Sequence, residues 1–220
     1  MTALRWRAVH DQAAWRLGGG DAARREARWI CQDAAGADAD EWVRWLDEPV
    51  SAGALARLDA LVARRAAGEP LQYVLGHWPF RRLDLYVDQR VLIPRPETEQ
   101  VTEVAIALAR SMPRPLTIVD LGTGSGAIAL SLAAELPLVG VEVWATDVDP
   151  AALDVARANL AGLGRSAANV RLVEGSWYDA LPDELLGRVA LLVANPPYVA
   201  TTDALPPEVG EWEPPGALFA

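Results

Sequence analysis

The tetrapeptide Asn195-Pro196-Pro197-Tyr198 contains the residue types in this sequence that are best suited to chemistry. It directly follows the apolar run 189–194, which predicts a buried strand, and open α/β sheets bind ligands at the carboxyl ends of their strands. The two prolines remove two backbone N–H donors and stiffen the loop, which leaves carbonyl acceptors beside an aromatic ring. Such a loop suits a flat amino group that must be held in one orientation. The alternative is a plain turn, because Asn-Pro and Pro-Pro are common loop dipeptides.

A glycine-rich loop between a predicted strand and a predicted helix forms a second candidate site. Glycines permit a tight turn and a close approach of the backbone to a ligand. The G-x-G-x-G spacing differs from the G-x-G-x-x-G fingerprint for dinucleotides, and the aspartate before it would repel a pyrophosphate. That carboxylate suits the ammonium and sulfonium groups of S-adenosylmethionine better than it suits NAD; a tight turn without a ligand is the alternative. The candidate cofactor-binding residues here are Asp120, Gly122, Thr123, Gly124, Ser125 and Gly126.

Two further candidates for cofactor binding end or follow other predicted strands. Asp147 lies about 20 residues after the loop, at the position where an acidic side chain accepts both ribose hydroxyls. Trp177 follows the third strand, where its ring can stack on an adenine. Other interpretations stay open, because Asp147 can form an Asx turn before Pro150 and Trp177 can be a core or surface ring.

The composition excludes several classes of function. The 220-residue chain is 51% hydrophobic with a net charge of −10, and all its basic residues are arginine. An acidic chain without a basic run is a poor candidate for duplex binding, which depends on phosphate contacts. Cys31 is the only cysteine, which excludes an intrachain disulfide and a thiolate metal cluster. No secretory signal and no apolar run of about 18 residues is present, so the sequence predicts a soluble cytoplasmic protein without a membrane partner.

Three regions must position these candidate residues. Residues 1–67 predict a small helical domain, broken by turns at 18–21 and 47–49, and we expect its tryptophans to lie mainly in the core. Residues 68–98 predict a linker with a β-hairpin and a rigid proline-containing connector. The connector leads into a predicted helix, whose apolar face consists of Val101, Val104, Ala105 and Leu108.

Residues 99–220 alternate predicted strands with predicted helices and hold the candidate cofactor loop and the N-P-P-Y loop, so we expect them to form the catalytic domain that binds S-adenosylmethionine. This alternation predicts an α/β fold with a mostly parallel sheet and right-handed crossovers. The predicted strands are 116–121, 141–146, 170–173 and 189–194, and the predicted helices between them are 127–136 and 150–160.

Taken together, these features resemble the class I S-adenosylmethionine-dependent methyltransferases, and more closely the release factor glutamine methyltransferases of the HemK/PrmC family. The resemblance covers nearly the whole chain, through G-E-P-L-Q-Y-V-L-G at 68–76, V-L-I-P-R-P-E-T-E at 91–99, the glycine loop and the N-P-P-Y loop. It implies a Rossmann-like methyltransferase sheet and an N-terminal helical domain that helps to bind the release factor. It also implies methylation of the glutamine side-chain amide in the Gly-Gly-Gln motif of class I peptide chain release factors.

The resemblance extends to the residues that would hold the substrate. By analogy, Phe80 and the connector residues Arg95, Pro96, Glu97 and Thr98 line the glutamine pocket; the alternative is that they only pack the domains together. Two departures from the family pattern stand out. Ser176 occupies a position where the family commonly has Asp, and the segment 211–218 matches one that normally lies well inside the protein. We therefore expect the sheet to be C-terminally incomplete relative to the family.

The chemistry of the N-P-P-Y loop can be argued from its residues. An amide nitrogen is a poor nucleophile, so its lone pair must face the methyl group at close range. We hypothesise that the Asn195 side-chain oxygen and the Pro196 carbonyl accept the two amide protons and stabilise the positive charge that develops on nitrogen. Tyr198 would pack against the flat amide, with Pro197 beside it, and Asn195 would also border the cofactor. No metal is required.

The sequence alone leaves three competing functions to consider. The N-P-P-Y loop is compatible with a nucleic-acid amino methyltransferase acting on adenine or guanine, although the acidic charge and the R-P-E-T-E connector argue against it. An NAD-dependent dehydrogenase is disfavoured by the glycine spacing and by the aspartate before the loop. A truncated remnant that binds cofactor or release factor without turnover is the non-enzymatic alternative.

Overall fold

The computed structural model describes residues 4–38 and 40–220. The chain divides into two compact units, Met1–Leu75 and Gly76–Ala220, and each has its own core. The described part of the first unit is helical. Its helices are α1 (Trp6–Arg16), α2 (Gly20–Ala35), α3 (Trp42–Trp45), α4 (Ala52–Ala66) and α5 (Leu71–Leu75).

The tryptophans of the helical unit divide between core and surface. Trp6 and Trp42 are buried and meet edge to face, with ring centroids 6.1 Å apart. Trp15 is 79% exposed and Trp29 is 43% exposed, so these two tryptophans lie outside the core. Helical periodicity explains the difference in α1, because Trp6, Val9 and Ala13 share one face, to which Trp15 does not belong.

The helical unit continues beyond residue 67, where the sequence predicted its end. Residues 71–75, which were expected to begin the β-hairpin or short strands, form the short helix α5, whose residues Leu71, Tyr73 and Val74 are buried. Arg64 stabilises the end of this helix by donating to the carbonyls of Tyr73 (2.9 Å) and Val74 (3.1 Å). A long-range cap of this kind has no local signature in the sequence, which is why alternation predicted the wrong element here.

The second unit begins with the predicted β-hairpin, formed by β1 (His77–Phe80) and β2 (Leu83–Tyr86). Arg81 lies in its turn with a positive φ of 53° and donates to Glu135 (2.7 Å) and Glu103 (2.5 Å). The guanidinium of Arg81 lowers the pKa of the Glu135 carboxyl. The hairpin is thereby attached to the two helices that carry these glutamates.

A four-stranded parallel sheet forms the centre of this unit, in the order β5 (Val170–Glu174), β4 (Val141–Asp147), β3 (Leu116–Leu121) and β6 (Val189–Ala194). The predicted α/β fold with a mostly parallel sheet is confirmed. Because all four strands run in one direction, the loops that follow them meet at one edge of the sheet. The elements are α6 (Pro96–Ser111), β3 (Leu116–Leu121), α7 (Ala127–Glu135), β4 (Val141–Asp147), α8 (Pro150–Ala161), β5 (Val170–Glu174), β6 (Val189–Ala194), α9 (Pro207–Gly210) and α10 (Pro215–Leu218), with short 3-10 turns at Gly164–Asn169, Trp177–Ala180 and Asp183–Leu185.

Helix α6 forms where it was predicted but buries a different face. Val101, Val104 and Leu108 are largely exposed, while Thr102 and Ala105 are buried. The buried face consists of Thr98, Thr102, Ala105, Ile106 and Ala109, which recur at the spacing of one helix face, so only Ala105 of the predicted apolar face is buried. None of the helices in the described ranges is long and apolar enough to cross a membrane.

Candidate active site

The glycine loop rests on a buried carboxylate. Asp120, near the end of β3, accepts hydrogen bonds through Oδ2 from Thr123 Oγ1 (2.7 Å) and from the Ala129 N–H in α7 (3.1 Å). Its other oxygen, Oδ1, is buried without a partner in the described part of the chain. Burial raises the pKa of Asp120 to about 6, although the two hydrogen bonds act in the opposite direction. Asp120 therefore supports the loop from below and does not line the cavity described next.

The upper side of the loop is open. The Thr123 N–H donates to Thr146 O (2.8 Å), and the Gly124 N–H donates to Asp147 Oδ2 (2.8 Å), so the end of β4 holds the loop in place. Gly122 and Gly124 have positive φ values of 70° and 55°, and a Cβ built on either would meet nothing within 4 Å. Glycine thus satisfies the backbone and leaves space for a ligand beside it.

Asp147 is held in one orientation by the backbone around it. Its Oδ1 accepts the Asp149 N–H at 3.0 Å, and its Oδ2 accepts the Gly124 N–H at 2.8 Å. Each carboxylate oxygen can accept more than one hydrogen bond, so the side chain can also accept ligand hydroxyls. Asp149 in turn begins α8, where its side chain accepts the Ala151 N–H (2.8 Å).

Trp177 takes an unusual backbone conformation at the mouth of the site. Its φ is +47°, a region that few residues other than glycine adopt, and its side chain is 54% exposed. Gly175, two residues earlier, has no room for a side chain, because a Cβ there would lie 2.8 Å from the Cβ of Ala180. Strain of this kind often accompanies a functional position.

These loops surround a cavity of about 280 Å³. The glycine loop from Gly122 to Ser125 lines it, together with Asp147 and Trp177, so the structure brings these predicted cofactor-binding residues together. The remaining walls come from the connector, the N-P-P-Y loop, the last helix, the ends of β3 and β4, the starts of α7 and α8, and the residues after β4 and β5. They are Arg90, Val91, Leu92, Pro94, Arg95, Thr98, Leu121, Ala127, Ile128, Thr146, Val148, Asp149, Ala152, Gly175, Ser176, Asn195, Pro196, Pro197, Pro214, Gly216 and Ala217.

A second cavity of about 200 Å³ adjoins the first. Both cavities are lined by Leu92, Arg95, Asn195, Pro196 and Ala217. The remaining walls of the second cavity are mainly apolar: Tyr198, Val199, Leu205, Val209 and Leu218. The Asn-Pro pair therefore lies where a polar, glycine-lined space meets an apolar one.

Asn195 has a side-chain oxygen available at this junction. Its Nδ2 donates to Thr98 Oγ1 at 3.3 Å, which leaves Oδ1 without a partner among the described residues. The Pro196 carbonyl likewise accepts no hydrogen bond within the described ranges. Two unused acceptors are thus adjacent in the chain, as expected for holding an –NH₂ group.

Several predicted site residues lie elsewhere. Phe80 is fully buried in the core, and Pro96 and Glu97 begin α6; none of the three lines either cavity. Gly126 precedes α7 with a φ of 86° and lies outside the lining. Tyr198 lines the second cavity and is 78% exposed. The roles assigned to all these residues stay predictions.

Sequence reasoning missed two side chains that organise the site. Glu213 is buried and pairs with Arg95, and the match of 211–218 to a family segment was the available signal for it. Arg90 lines the first cavity while Asp88 holds its guanidinium at 2.6 Å, and this pairing lowers the pKa of Asp88 to about 2. No local pattern indicated that Arg90 would reach the site.

Comparison with known proteins places these features in a wider context. The PrmC N-terminal domain model matches residues 9–76, and the methyltransferase small domain model matches residues 99–208. The release factor glutamine methyltransferase of Geobacter sulfurreducens is 42% identical over 201 residues, which cover 89% of this chain and 66% of that protein. The enzyme of the same name from Bifidobacterium longum is 38% identical over 205 residues, covering 88% of this chain and 69% of its own length.

The chain thus spans about two thirds of the length of the curated relatives that it matches. Among solved structures, the N-terminal domain of human METTL16 in complex with SAH is 20% identical, with a TM-score of 0.41. That alignment covers 69% of this chain and 55% of the human one.

Proposed function

Because the chain belongs to the release factor glutamine methyltransferase family, we propose that it catalyses transfer of a methyl group from S-adenosylmethionine to a glutamine side-chain amide. The acceptor is the glutamine in the Gly-Gly-Gln motif of class I peptide chain release factors. The observation that carries the proposal is the junction of two cavities at Asn195 and Pro196. A methyl donor in the first cavity and an amide in the second would meet at the unused acceptors of these two residues.

The first cavity fits S-adenosylmethionine by its donor and acceptor set. The bound cofactor supplies a methyl group attached to a positively charged sulfur. Asp147 would accept the ribose hydroxyls, and the ring of Trp177 would pack against the adenine. The open backbone at Gly122 and Gly124 would lie close to the methionine part, where a side chain would occupy the space.

The residues of the junction orient the amide. Asn195 Oδ1 and the Pro196 carbonyl would accept the two N–H bonds of the glutamine, which turns the nitrogen lone pair toward the first cavity. Thr98 positions Asn195, because its Oγ1 receives the Nδ2 hydrogen bond and leaves Oδ1 for the substrate. Preorganised acceptors also stabilise the positive charge that develops on nitrogen.

The apolar lining of the second cavity would limit the access of water, and the transfer would require no general base. Leu92, Leu205 and Val209 give it an apolar wall, and Tyr198 lies at its side. A new bond forms between carbon and the amide nitrogen as the bond between carbon and sulfur breaks. The nitrogen then carries a surplus proton, which it loses readily because an N-methylated, protonated amide is strongly acidic.

We extend the proposal to partners and location. The release factor is a protein substrate, and no direct nucleic-acid binding is expected, because the two arginines that line the first cavity are paired with Asp88 and Glu213. Translation terminates in the cytoplasm, so that is where we expect the protein to act. The predicted role of the helical unit in holding the release factor belongs to the same proposal.

The test is methyl transfer from labelled S-adenosylmethionine to a purified class I release factor. A factor with Gln replaced by Ala in its Gly-Gly-Gln motif serves as the substrate control. Asn195→Ala should reduce turnover by at least about 100-fold while binding of S-adenosylhomocysteine, measured by calorimetry, changes little. Normal turnover by that variant, or label on the Gln-to-Ala factor, would contradict the proposal.

A matched variant guards against general damage to the protein. Asn169 donates one side-chain hydrogen bond to Leu138 O (2.7 Å) and lies outside the lining of both cavities. Asn169→Ala should therefore retain turnover. Binding of cofactor by the wild-type chain without any transfer would identify a non-enzymatic binding protein instead, and transfer to adenine or guanine oligonucleotides would favour the nucleic-acid alternative.

A further inference from the structure

Asn159 lies in α8, outside the lining of both cavities, yet its side chain connects two segments that line them. Its Oδ1 accepts the Tyr86 N–H at 2.7 Å. Its Nδ2 donates both hydrogens, one to Tyr86 O (3.0 Å) and the other to Ser125 O in the glycine loop (2.9 Å). A single carboxamide thus joins the end of the hairpin to the cofactor loop.

The chemistry of these three contacts admits only an amide in one orientation. The two carbonyls require a donor with two hydrogens, and the Tyr86 N–H requires an acceptor. A carboxylate of the same shape would place an oxygen against two carbonyl oxygens. Asn159 is therefore matched to its neighbours by donor pattern as well as by size.

The segment attached at Tyr86 leads directly into the walls of the site. The Tyr86 hydroxyl donates to Asp88 (2.6 Å), and Asp88 holds Arg90 through both of its carboxylate oxygens. Arg90 lines the first cavity, and Leu92 lines both cavities. On the other side of Asn159, Ser125 is buried and lines the first cavity.

We propose that Asn159 is a positioning residue that makes the glycine loop and the segment 86–92 move as one body. The identity of the ligands rests on the proposed function, but the coupling itself does not. Occupation of the first cavity then fixes the wall that both cavities share at Leu92. A protein with this link would bind cofactor more tightly and present an ordered second cavity to the substrate.

The experiment compares the wild-type 220-residue chain with Asn159→Asp at pH 8, where the new carboxylate is ionised. Hydrogen exchange followed by mass spectrometry reports on peptides covering 84–92 and 121–127 in the unliganded protein. We expect exchange to become at least about tenfold faster in both peptides, because the variant replaces two donated bonds with repulsion. The peptide covering α1, which belongs to the helical unit, should not change.

Two additional measurements separate positioning from a general loss of structure. Binding of S-adenosylhomocysteine should weaken about tenfold or more in Asn159→Asp, while Asn169→Asp, which also loses a donated side-chain bond, should bind like the wild type. In transfer assays, KM for the release factor should rise along with the cofactor dissociation constant. Asn159→Ala serves if the aspartate variant does not fold, because water can replace its bonds at the exposed Tyr86.

The outcomes are distinct. Faster exchange in both peptides with weaker binding supports the inference. Exchange confined to one peptide, or unchanged binding in a folded variant, overturns it. A wild-type chain that binds no S-adenosylhomocysteine contradicts the proposed function, and in that case the exchange comparison alone still decides whether Asn159 couples the two segments.

Discussion

Arg95 and Glu213 lie 118 residues apart in sequence and form an ion pair with a separation of 2.5 Å. The Glu213 side chain is only 1% exposed, and its second oxygen accepts the Ile93 N–H at 3.1 Å. The connector and the segment that precedes α10 are therefore fastened together. Because Leu92, Arg95 and Ala217 line both cavities, this one carboxylate determines how the walls of the site meet.

Glu213→Gln should loosen this junction without removing the contact to Ile93. We expect the free energy of unfolding to fall by about 1–3 kcal/mol, since the Arg95 guanidinium loses the buried carboxylate that neutralises it. KM for the release factor should rise more than the dissociation constant of S-adenosylhomocysteine, because the second cavity depends on both segments. Steady-state methylation and calorimetry measure the two quantities.

Asp154→Asn provides the control for this variant. Asp154 pairs with Arg157 at 2.7 Å on the exposed surface of α8, where such a pair contributes less than about 1 kcal/mol. It should leave both stability and kinetics nearly unchanged. Equal effects of Glu213→Gln on the two binding constants would show that the pair acts on the whole site rather than on the substrate side.

Gly124→Ala tests whether the open side of the glycine loop holds the cofactor. A Cβ at this position strains a backbone with φ of 55° and projects into open space. Gly36, which ends α2 in the helical unit with φ of 63°, has equally open surroundings and offers a matched control. Both substitutions should cost about 1–2 kcal/mol of stability.

Only the loop variant should affect binding. Gly124→Ala should weaken S-adenosylhomocysteine binding by at least about tenfold, because the alanine Cβ would occupy space that the bound ligand fills. Gly36→Ala should bind like the wild type in the same titration. Similar affinities for the two variants would remove the loop from the cofactor site.

Trp177 combines an unfavourable backbone conformation with an exposed ring. The melting temperature reports on the backbone conformation, and ligand affinity reports on the ring. Trp177→Gly should relieve the strain at φ of 47° and remove the aromatic surface together. We expect the melting temperature to change little and S-adenosylhomocysteine binding to weaken about tenfold, as lost stacking on adenine predicts. If affinity is unaffected, Trp177 is a surface ring and not a ligand contact.

The central sheet could be predicted from sequence because its signals are local. The runs 116–121 and 189–194 became strands with those bounds. The first is largely buried, but the expectation of a buried strand at 189–194 is wrong, because this strand lies at the edge of the sheet and only its Val193 is buried. The glycine loop was equally accessible, because positive φ values require glycine at Gly122 and Gly124. Each of these elements is determined by residues adjacent in the chain.

The parts that were missed depend on contacts between distant residues. Arg90 reaches the cavity through Asp88, and Glu213 meets Arg95 across most of the second unit, so neither could be assigned from spacing. Phe80 is buried in the core and lines neither cavity, so its predicted place in the glutamine pocket stays a prediction. Sequence patterns indicate which segments approach the site, whereas side-chain direction is settled by packing.

The buried carboxylate of Asp120 predicts a particular dependence of stability on pH. Burial raises its pKa from 3.8 to about 6, so between these values the native state binds a proton that the unfolded state does not. The free energy of unfolding contributed by this group therefore falls as pH rises from about 4 to about 6. A difference of about two pKa units corresponds to about 3 kcal/mol. The lowered pKa of Asp88, about 2, acts in a separate and more acidic range.

Asp120→Asn removes this titration while it preserves shape and an acceptor for Thr123 and Ala129. Urea unfolding at pH 4 to 8 should give curves for wild type and variant whose difference changes by about 3 kcal/mol between pH 4 and pH 6 and then levels off. Subtracting the variant cancels the other titrating groups that the two proteins share. A constant difference across that range would mean that Asp120 stays ionised beneath the loop, and that water or a relaxed backbone supplies the partner its Oδ1 lacks.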